Sequence, residues 1–269
     1  MRRVPISAFC LFLAGAGLGE AADIEADRLR EQDPMVVKAR LGVSEFVQSL
    51  PNFVCQETIS RFRSAVRLRS SQPLDVLTAE LVFENGQEQY RNLRRNGKPL
   101  KRRLEQLTGA WSTGEFGSML VEVLSVSTGA QFRLKQEISE LEQGKLAVYN
   151  FVVDREHSQW MLFAGDRGVS PPYQGSLQID ISTGHVWRME METSNLPLDF
   201  PLERVESTVD YHGVEIGGQV YLLPIRSELL MCFRSAHSCV KNVITFSQCR
   251  KYGSESSLRF AELSGASDF

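Results

Sequence analysis

Four cysteines, a dense run of cations and a pair of alternating carboxylates are the residues whose chemistry depends on their spacing here. Cys55, Cys232, Cys239 and Cys249 remain once Cys10 is assigned to an N-terminal export signal. An even number of cysteines in an exported chain reads as two disulfides; buried free thiols are the alternative. Arg91, Arg94, Arg95, Lys98, Lys101, Arg102 and Arg103 crowd around Asn96-Gly97. Such a cluster attracts anionic lipid head groups, acidic polysaccharide or nucleic acid. Its bland reading is a solvated hairpin tip neutralised by Glu84, Glu88 and Glu105. Glu190 and Glu192 alternate with Met189 and Met191 and so share a face. Two carboxylates on one face can serve as general acid and base, but the polar side of an amphipathic strand has the same pattern.

No motif fixes a reaction. The chain has no Gly-x-Ser-x-Gly elbow, no Walker loop and no Gly-x-Gly-x-x-Gly between a strand and a helix. His157, His185, His212 and His237 stand in no recognised catalytic context and read as strand-end or turn residues. Glu156-His157 is the one adjacent acid–imidazole pair, and it has no partner at zinc-ligand spacing. His237 lies between Cys232 and Cys239, so a Cys-His-Cys metal site is the alternative to a disulfide there. A Cys-x-x-Cys redox motif is absent. The expectation is a protein without catalysis, metal or cofactor. A hydrolase with dispersed catalytic residues is the least favoured alternative.

The elements that must hold these residues begin with the leader. Arg2 and Arg3 precede an uncharged apolar stretch from Val4 to Gly19, and Gly19-Glu20-Ala21 supplies small residues for cleavage. Residues 1–21 therefore read as a secretory signal peptide, and residues 22–269 as a single β-rich domain placed in the periplasm or secreted. The apolar run falls short of the ~20 residues a membrane-spanning helix needs. Across all 269 residues, 30 Lys and Arg stand against 33 Asp and Glu, and the mature 248 residues carry −4. That near-neutral balance, together with export, excludes a surface built to hold nucleic acid.

Asp33-Pro34 suits a helix start, and Val36, Ala39, Val43, Phe46 and Leu50 recur on one face before Pro51 ends the run, which predicts a helix over 34–50. From residue 53 to about 260 the period is mostly two. Turns fall at Asn85-Gly86, Asn96-Gly97 and Ser182-Thr183-Gly184. One helical insert, Glu115 to Val126, interrupts the strands. Strands are expected at 131–138, 146–153, 159–163, 204–211, 214–223, 226–233, 240–250 and 256–260. The fold class is mainly β (α+β): a curved antiparallel meander or unclosed β-barrel with an N-terminal helix and a short helical insert.

Strand register tests the cysteines. If Cys232 faces Cys239 across a hairpin, then Met231 opposes Val240, Leu229 opposes Asn242 and Ser227 opposes Ile244. This gathers most apolar side chains of both strands on one face, as a half-buried sheet requires. The register favours 232–239 and leaves 55–249. Elsewhere, Trp187, Met189 and Met191, with Trp160 and Leu162, give a sheet face rich in aromatic and methionine side chains. Deformable methionine suits a surface that accepts varied apolar partners, although core packed against the 34–50 helix looks the same.

Gly175-Ser-Leu-Gln-Ile-Asp-Ile-Ser-Thr-Gly184, Val186-Trp-Arg-Met-Glu190 and Val220-Tyr-Leu-Leu-Pro224 carry a resemblance. A strand ending in Ile-Asp, a Thr-Gly turn and a late Leu-Pro strand resemble the LolA/LolB-like outer-membrane lipoprotein-carrier superfamily, as does the strand pattern over residues 53–260. The resemblance implies an unclosed barrel whose concave face, lidded by helices, accepts acyl chains. The expected function is binding of an acyl chain, lipid, lipoprotein or envelope component at Trp160, Leu162, Trp187, Met189 and Met191. Arg94, Arg95, Lys98, Lys101, Arg102 and Arg103 are the candidate contacts to an anionic envelope surface. The rival is an envelope interaction protein whose sheet face is packed solid.

Overall fold

The computed structural model describes residues 33–252, apart from 66–70, 86, 102–117, 141–143, 165–166, 194 and 237. The signal peptide, the strand expected at 256–260, Arg102, Arg103, Glu105 and His237 lie outside the described residues. Asp33 caps helix α1 (Pro34–Ser49), its carboxylate accepting from the Met35 N–H at 2.9 Å. Pro34 fits the first turn because that position needs no N–H partner. The insert forms a second helix, α2 (Ser118–Leu124), followed by one 3₁₀ turn (Val126–Thr128) that ends at Gly129 in the left-handed region.

Eleven strands make one antiparallel, curved and unclosed sheet. In chain order its members are β1 (Phe53–Ala65), β2 (Ser71–Glu84), β3 (Gln87–Arg95), β4 (Lys98–Pro99), β5 (Gln131–Glu140) and β6 (Gly144–Val153), then β9 (Tyr173–Asp180), β10 (Val186–Thr193), β11 (Leu202–Ile216), β12 (Gln219–Phe233) and β13 (Ser238–Lys251). A separate ribbon pairs β7 (Leu162–Ala164) with β8 (Arg167–Val169). Neighbouring strands are mostly consecutive in the chain. The exceptions are β6, which pairs with β9, and β1, which pairs with β13 and so leaves β4 and β5 as the two edges.

Two transverse rows of side chains form the inner face. Leu77, Ile59, Ile244, Ser227, Val209, Met189, Leu177 and Tyr149 oppose one another strand by strand, and all are buried. The next row is Asp75, Arg61, Asn242, Leu229, Ser207, Met191, Gly175 and Phe151, polar at its Asp75 end and mostly apolar toward Phe151. Val36, Ala39 and Val43 of α1 and Met119, Leu120, Val123 and Leu124 of α2 share one core cluster with Met189, Met191, Tyr149 and Leu177, so both helices cover this face. Phe46, farther along α1, packs with Phe53, Cys55, Ile59 and Phe246.

Both disulfides form, Cys55 with Cys249 and Cys232 with Cys239. The β12–β13 register is the one the cysteine argument requires, with Met231 opposite Val240, Leu229 opposite Asn242 and Ser227 opposite Ile244. Two expectations need correction. The strand read as 204–211 is part of a longer one and that read as 214–223 is divided, because β11 runs unbroken through Gly213 and the chain turns at Gly217-Gly218 into β12. The segment 159–163 adds no strand to the main sheet, since β6 pairs directly with β9 and leaves it no slot.

One buried ion pair anchors the polar half of the second row. Arg61 grips Asp75 bidentately, Nε to Oδ1 and Nη2 to Oδ2, both at 2.6 Å, and Arg95 Nε also donates to Oδ2. The Arg61 guanidinium, with Arg95 beside it, holds the Asp75 carboxyl below the usual carboxylate range. A depressed folded pKa gives stability that is complete above the unfolded value of ~3.9 and is lost as the pH falls through the folded one. Asp75→Asn leaves the Arg61 charge buried without its partner, an expected loss of about 3–5 kcal/mol. Urea unfolding at neutral pH measures that loss, and the variant should also show a shallower decline of stability in acid.

Candidate functional site

The structure separates the five apolar residues singled out in the sequence. Met189 and Met191 stand in adjacent inner rows beneath both helices, 1% and 4% exposed. Trp160 reaches the same cluster from the 154–172 excursion, its ring edge-on to Tyr173 at 5.5 Å. Leu162 is buried in a different cluster, with Leu196, Phe200, Leu202 and Val205. Trp187 departs from the expected face. A β-bulge at Trp187 shifts the register between Val186 and Arg188, and the indole packs edge-on against His212 instead of joining the methionines. The predicted ligand face is therefore a packed floor under the helices, with Trp160 at its rim.

Each covering helix has a tyrosine of that floor beside it. Tyr149 on β6 lies near the carboxylate of Asp33, the cap of α1. Tyr173 on β9 donates to Glu122 of α2 at 2.9 Å, and the same Glu122 oxygen accepts from the Gln159 N–H. Burial and the adjacent carboxylate push both phenols well above the ordinary tyrosine range. Lys38 Nζ adds a tie from α1, donating to the carbonyls of Ile181 and Ser182 in the β9–β10 turn. Gly184 in that turn has φ +81°, and a Cβ there would meet Lys38 Cγ at 2.7 Å, so the Thr-Gly motif serves helix docking. Asp180 supplies the turn itself, accepting from the Ser182 and Thr183 N–H groups.

Between the two helices lies an apolar cleft of about 410 Å³. Val37, Leu41 and Val43 of α1 and Val121 and Leu124 of α2 line it, with Val126 beyond, while Arg40, Ser44 and Gln48 sit along its α1 side. Val43 and Leu124 belong to the core cluster, so the bottom of the cleft is the core itself. Leu41 is 61% exposed and Val121 40%, an apolar rim that water does not favour. The sequence signal for this site was Val37 with Leu41 four residues on, a second apolar stripe beside the one that faces the sheet.

The other candidates resolve as surface structure. Glu190 pairs with Arg188 at 2.8 Å, Glu192 accepts from Gln174, and Arg188 also bonds Asp210, so these carboxylates belong to a charge ladder. Among the described residues no group of three or more His, Cys, Asp or Glu is placed to hold a metal. None of the described helices is long and apolar enough to cross a membrane. Arg94, Arg95, Lys98 and Lys101 are all exposed at the β3–β4 end, and Arg95 Nε also pairs with Asp75.

No known family profile matches the chain, and no curated protein is similar to it. Two solved structures show similarity to the chain, each 13% identical. A LolA superfamily protein from Nitrosomonas europaea matches over 81% of this chain and 92% of its own, with a TM-score of 0.31. The MucA/MucB complex of Pseudomonas aeruginosa matches over 80% of this chain and 99% of that one, with a TM-score of 0.23. Likeness at this level does not assign a family.

The two tyrosines have a measurable signature. A folded phenol that keeps its proton while the unfolded one loses it makes stability fall as the pH rises above about 10. Phenolate absorbance should leave Tyr149 and Tyr173 un-ionised until alkaline unfolding, and Tyr173→Phe should remove one of the late-titrating groups.

Proposed function

We propose that this protein is an exported, non-catalytic binder of a hydrophobic ligand whose acyl chain lies in the cleft between α1 and α2. Residues 22–269 act as one domain after removal of the 1–21 leader. The observation that carries this reading is the cleft: apolar walls, an exposed aliphatic rim and a bottom made by the core. Its size is within the range of small-molecule sites, which run from about 300 to 1,000 Å³. An acyl chain is the ligand class that the sequence resemblance implies, and it suits aliphatic walls without convergent charges. Two disulfides support an oxidising, extracytoplasmic location. Parting of the helices would extend the cleft toward Met189, Met191 and Trp160, whose flexible or broad side chains can repack around a chain.

A second reading is an envelope interaction protein with a solid core. The tight burial of Met189 and Met191 favours it. Binding of the fluorescent fatty acid cis-parinaric acid distinguishes the two. The full mature chain should bind it with saturation. Leu41→Asp and Val121→Asp, both at exposed positions that tolerate substitution, should weaken binding at least tenfold because a carboxylate cannot be buried against the chain. Absence of saturable binding by the unaltered protein would establish the solid-core reading.

A further inference from the structure

The cations at the β3–β4 end of the sheet are not neutralised in the way their sequence neighbours suggest. Glu84 and Glu88 flank the β2–β3 turn, where Glu84 opposes Gln87 and Phe83 opposes Glu88. Arg95 opposes Leu77 at the other end of the same strand pair. Seven residues of strand separate Leu77 from Glu84, about 23 Å at the usual rise. The screening length at physiological salt is about 8 Å, so these carboxylates do not offset the basic end.

The carboxylates that do lie on β1–β4 near this end are already engaged. Asp75 is enclosed by Arg61 and Arg95, two guanidinium groups on one carboxylate. Glu80 accepts from the neutral Asn92 amide at 2.6 Å, and its one carboxylate stands near two cations, Arg91 and Arg94. Arg63, Lys98 and Lys101 stand exposed without an ion pair among the described residues. Exposed aliphatic residues of β2 share a face with Arg94, whereas Lys98 opposes Arg95 and stands on the other face of the hairpin. Leu74 and Val76 are 41% and 40% exposed. Val76 is held beside the Asn96-Gly97 turn, donating its N–H to Asn96 Oδ1 and accepting the Asn96 N–H. Thr78, two residues along the same face as Val76, opposes Arg94.

From this juxtaposition of uncompensated cations and exposed aliphatics we infer that the β2–β4 end docks on an anionic phospholipid surface. Arg94 and Lys101 meet lipid phosphates while Leu74 and Val76 rest in the interfacial layer. Cations alone would serve an acidic polysaccharide equally well. The aliphatic pair is what selects lipid, because it gains from leaving water only where an apolar phase lies beneath the charges. The site is distinct from the helix cleft and does not depend on what the cleft binds.

Co-sedimentation of the full mature chain with vesicles tests this. Vesicles of equal parts phosphatidylglycerol and phosphatidylcholine should retain the protein at low salt, and vesicles of phosphatidylcholine alone should not. Each cation near such a surface contributes about fivefold in partitioning. Arg94→Glu with Lys101→Glu should therefore cost about 25-fold or more, with an unchanged melting temperature. Lys101→Gln, the milder change, should cost about fivefold. Leu74→Ser with Val76→Ser should weaken retention on the mixed vesicles while leaving binding to dextran sulfate unchanged. No retention of the unaltered protein, or equal retention of the charge-reversed one, overturns the proposal. So does binding to dextran sulfate with none to the mixed vesicles, which would assign the patch to a polysaccharide.

Discussion

Pairing of β1 with β13 is the constraint on which the rest of the structure depends. It joins strands that begin and end the described sheet and makes neighbours of residues far apart in the chain, such as Ile59 and Ile244. The Cys55–Cys249 disulfide spans the same seam at a sequence separation of 194. A cross-link closing so long a loop restricts the unfolded chain by about 5 kcal/mol on the chain-entropy account. Without this seam, β1–β4 would be a separate small sheet, and both transverse rows of the inner face would be cut at Ile59 and Arg61. The seam also fixes where the edges fall, at β4 and β5, and so places the basic end on a free margin of the sheet.

A continuous inner face then determines what the helices do. Apolar stripes on α1 and α2 cover the end of the rows that carries Tyr149, Leu177, Met189 and Met191. The polar end, with Asp75, Arg61 and Asn242, is stabilised by an ion pair in place of an apolar cover. Tyr173 and Lys38 hold the helices in position by hydrogen bonds to Glu122 and to the β9–β10 turn. The seam between α1 and α2 is left less filled, and there the core comes closest to an apolar opening. Binding capacity in this fold is thus a property of how two helices meet above a full sheet, more than of the sheet itself.

Local features of this architecture were legible in the sequence. Asp33-Pro34 marks a helix start through one side-chain acceptor and one fixed φ, both local causes. The Cys232–Cys239 register follows from a short hairpin, in which one pair sets all the others. Features governed by distant contacts were not legible. Gly213 and Pro224 resemble strand breakers, yet both lie inside strands. A Cβ at residue 213 would come within 2.9 Å of Val220 Cγ1, so glycine there allows close strand packing. Pro224 sits where β12 has no β13 partner, whose pairing begins at Arg226, and its missing N–H breaks no ladder bond there. The single extra residue at Trp187 moved a predicted site residue away from its neighbours, and no alternation pattern reveals a bulge in advance. Glu84 and Glu88 were close to the cations in sequence but a strand length away in space.

Native mass spectrometry of the protein, isolated from an exported fraction without detergent, tests the central claim most directly. The expected spectrum shows the mature, doubly disulfide-bonded chain with a co-purified species of acyl-lipid mass that leaves on collisional activation. A bare polypeptide mass under the same gentle conditions would contradict a hydrophobic-ligand binder and leave the helices as a simple cover over a closed core.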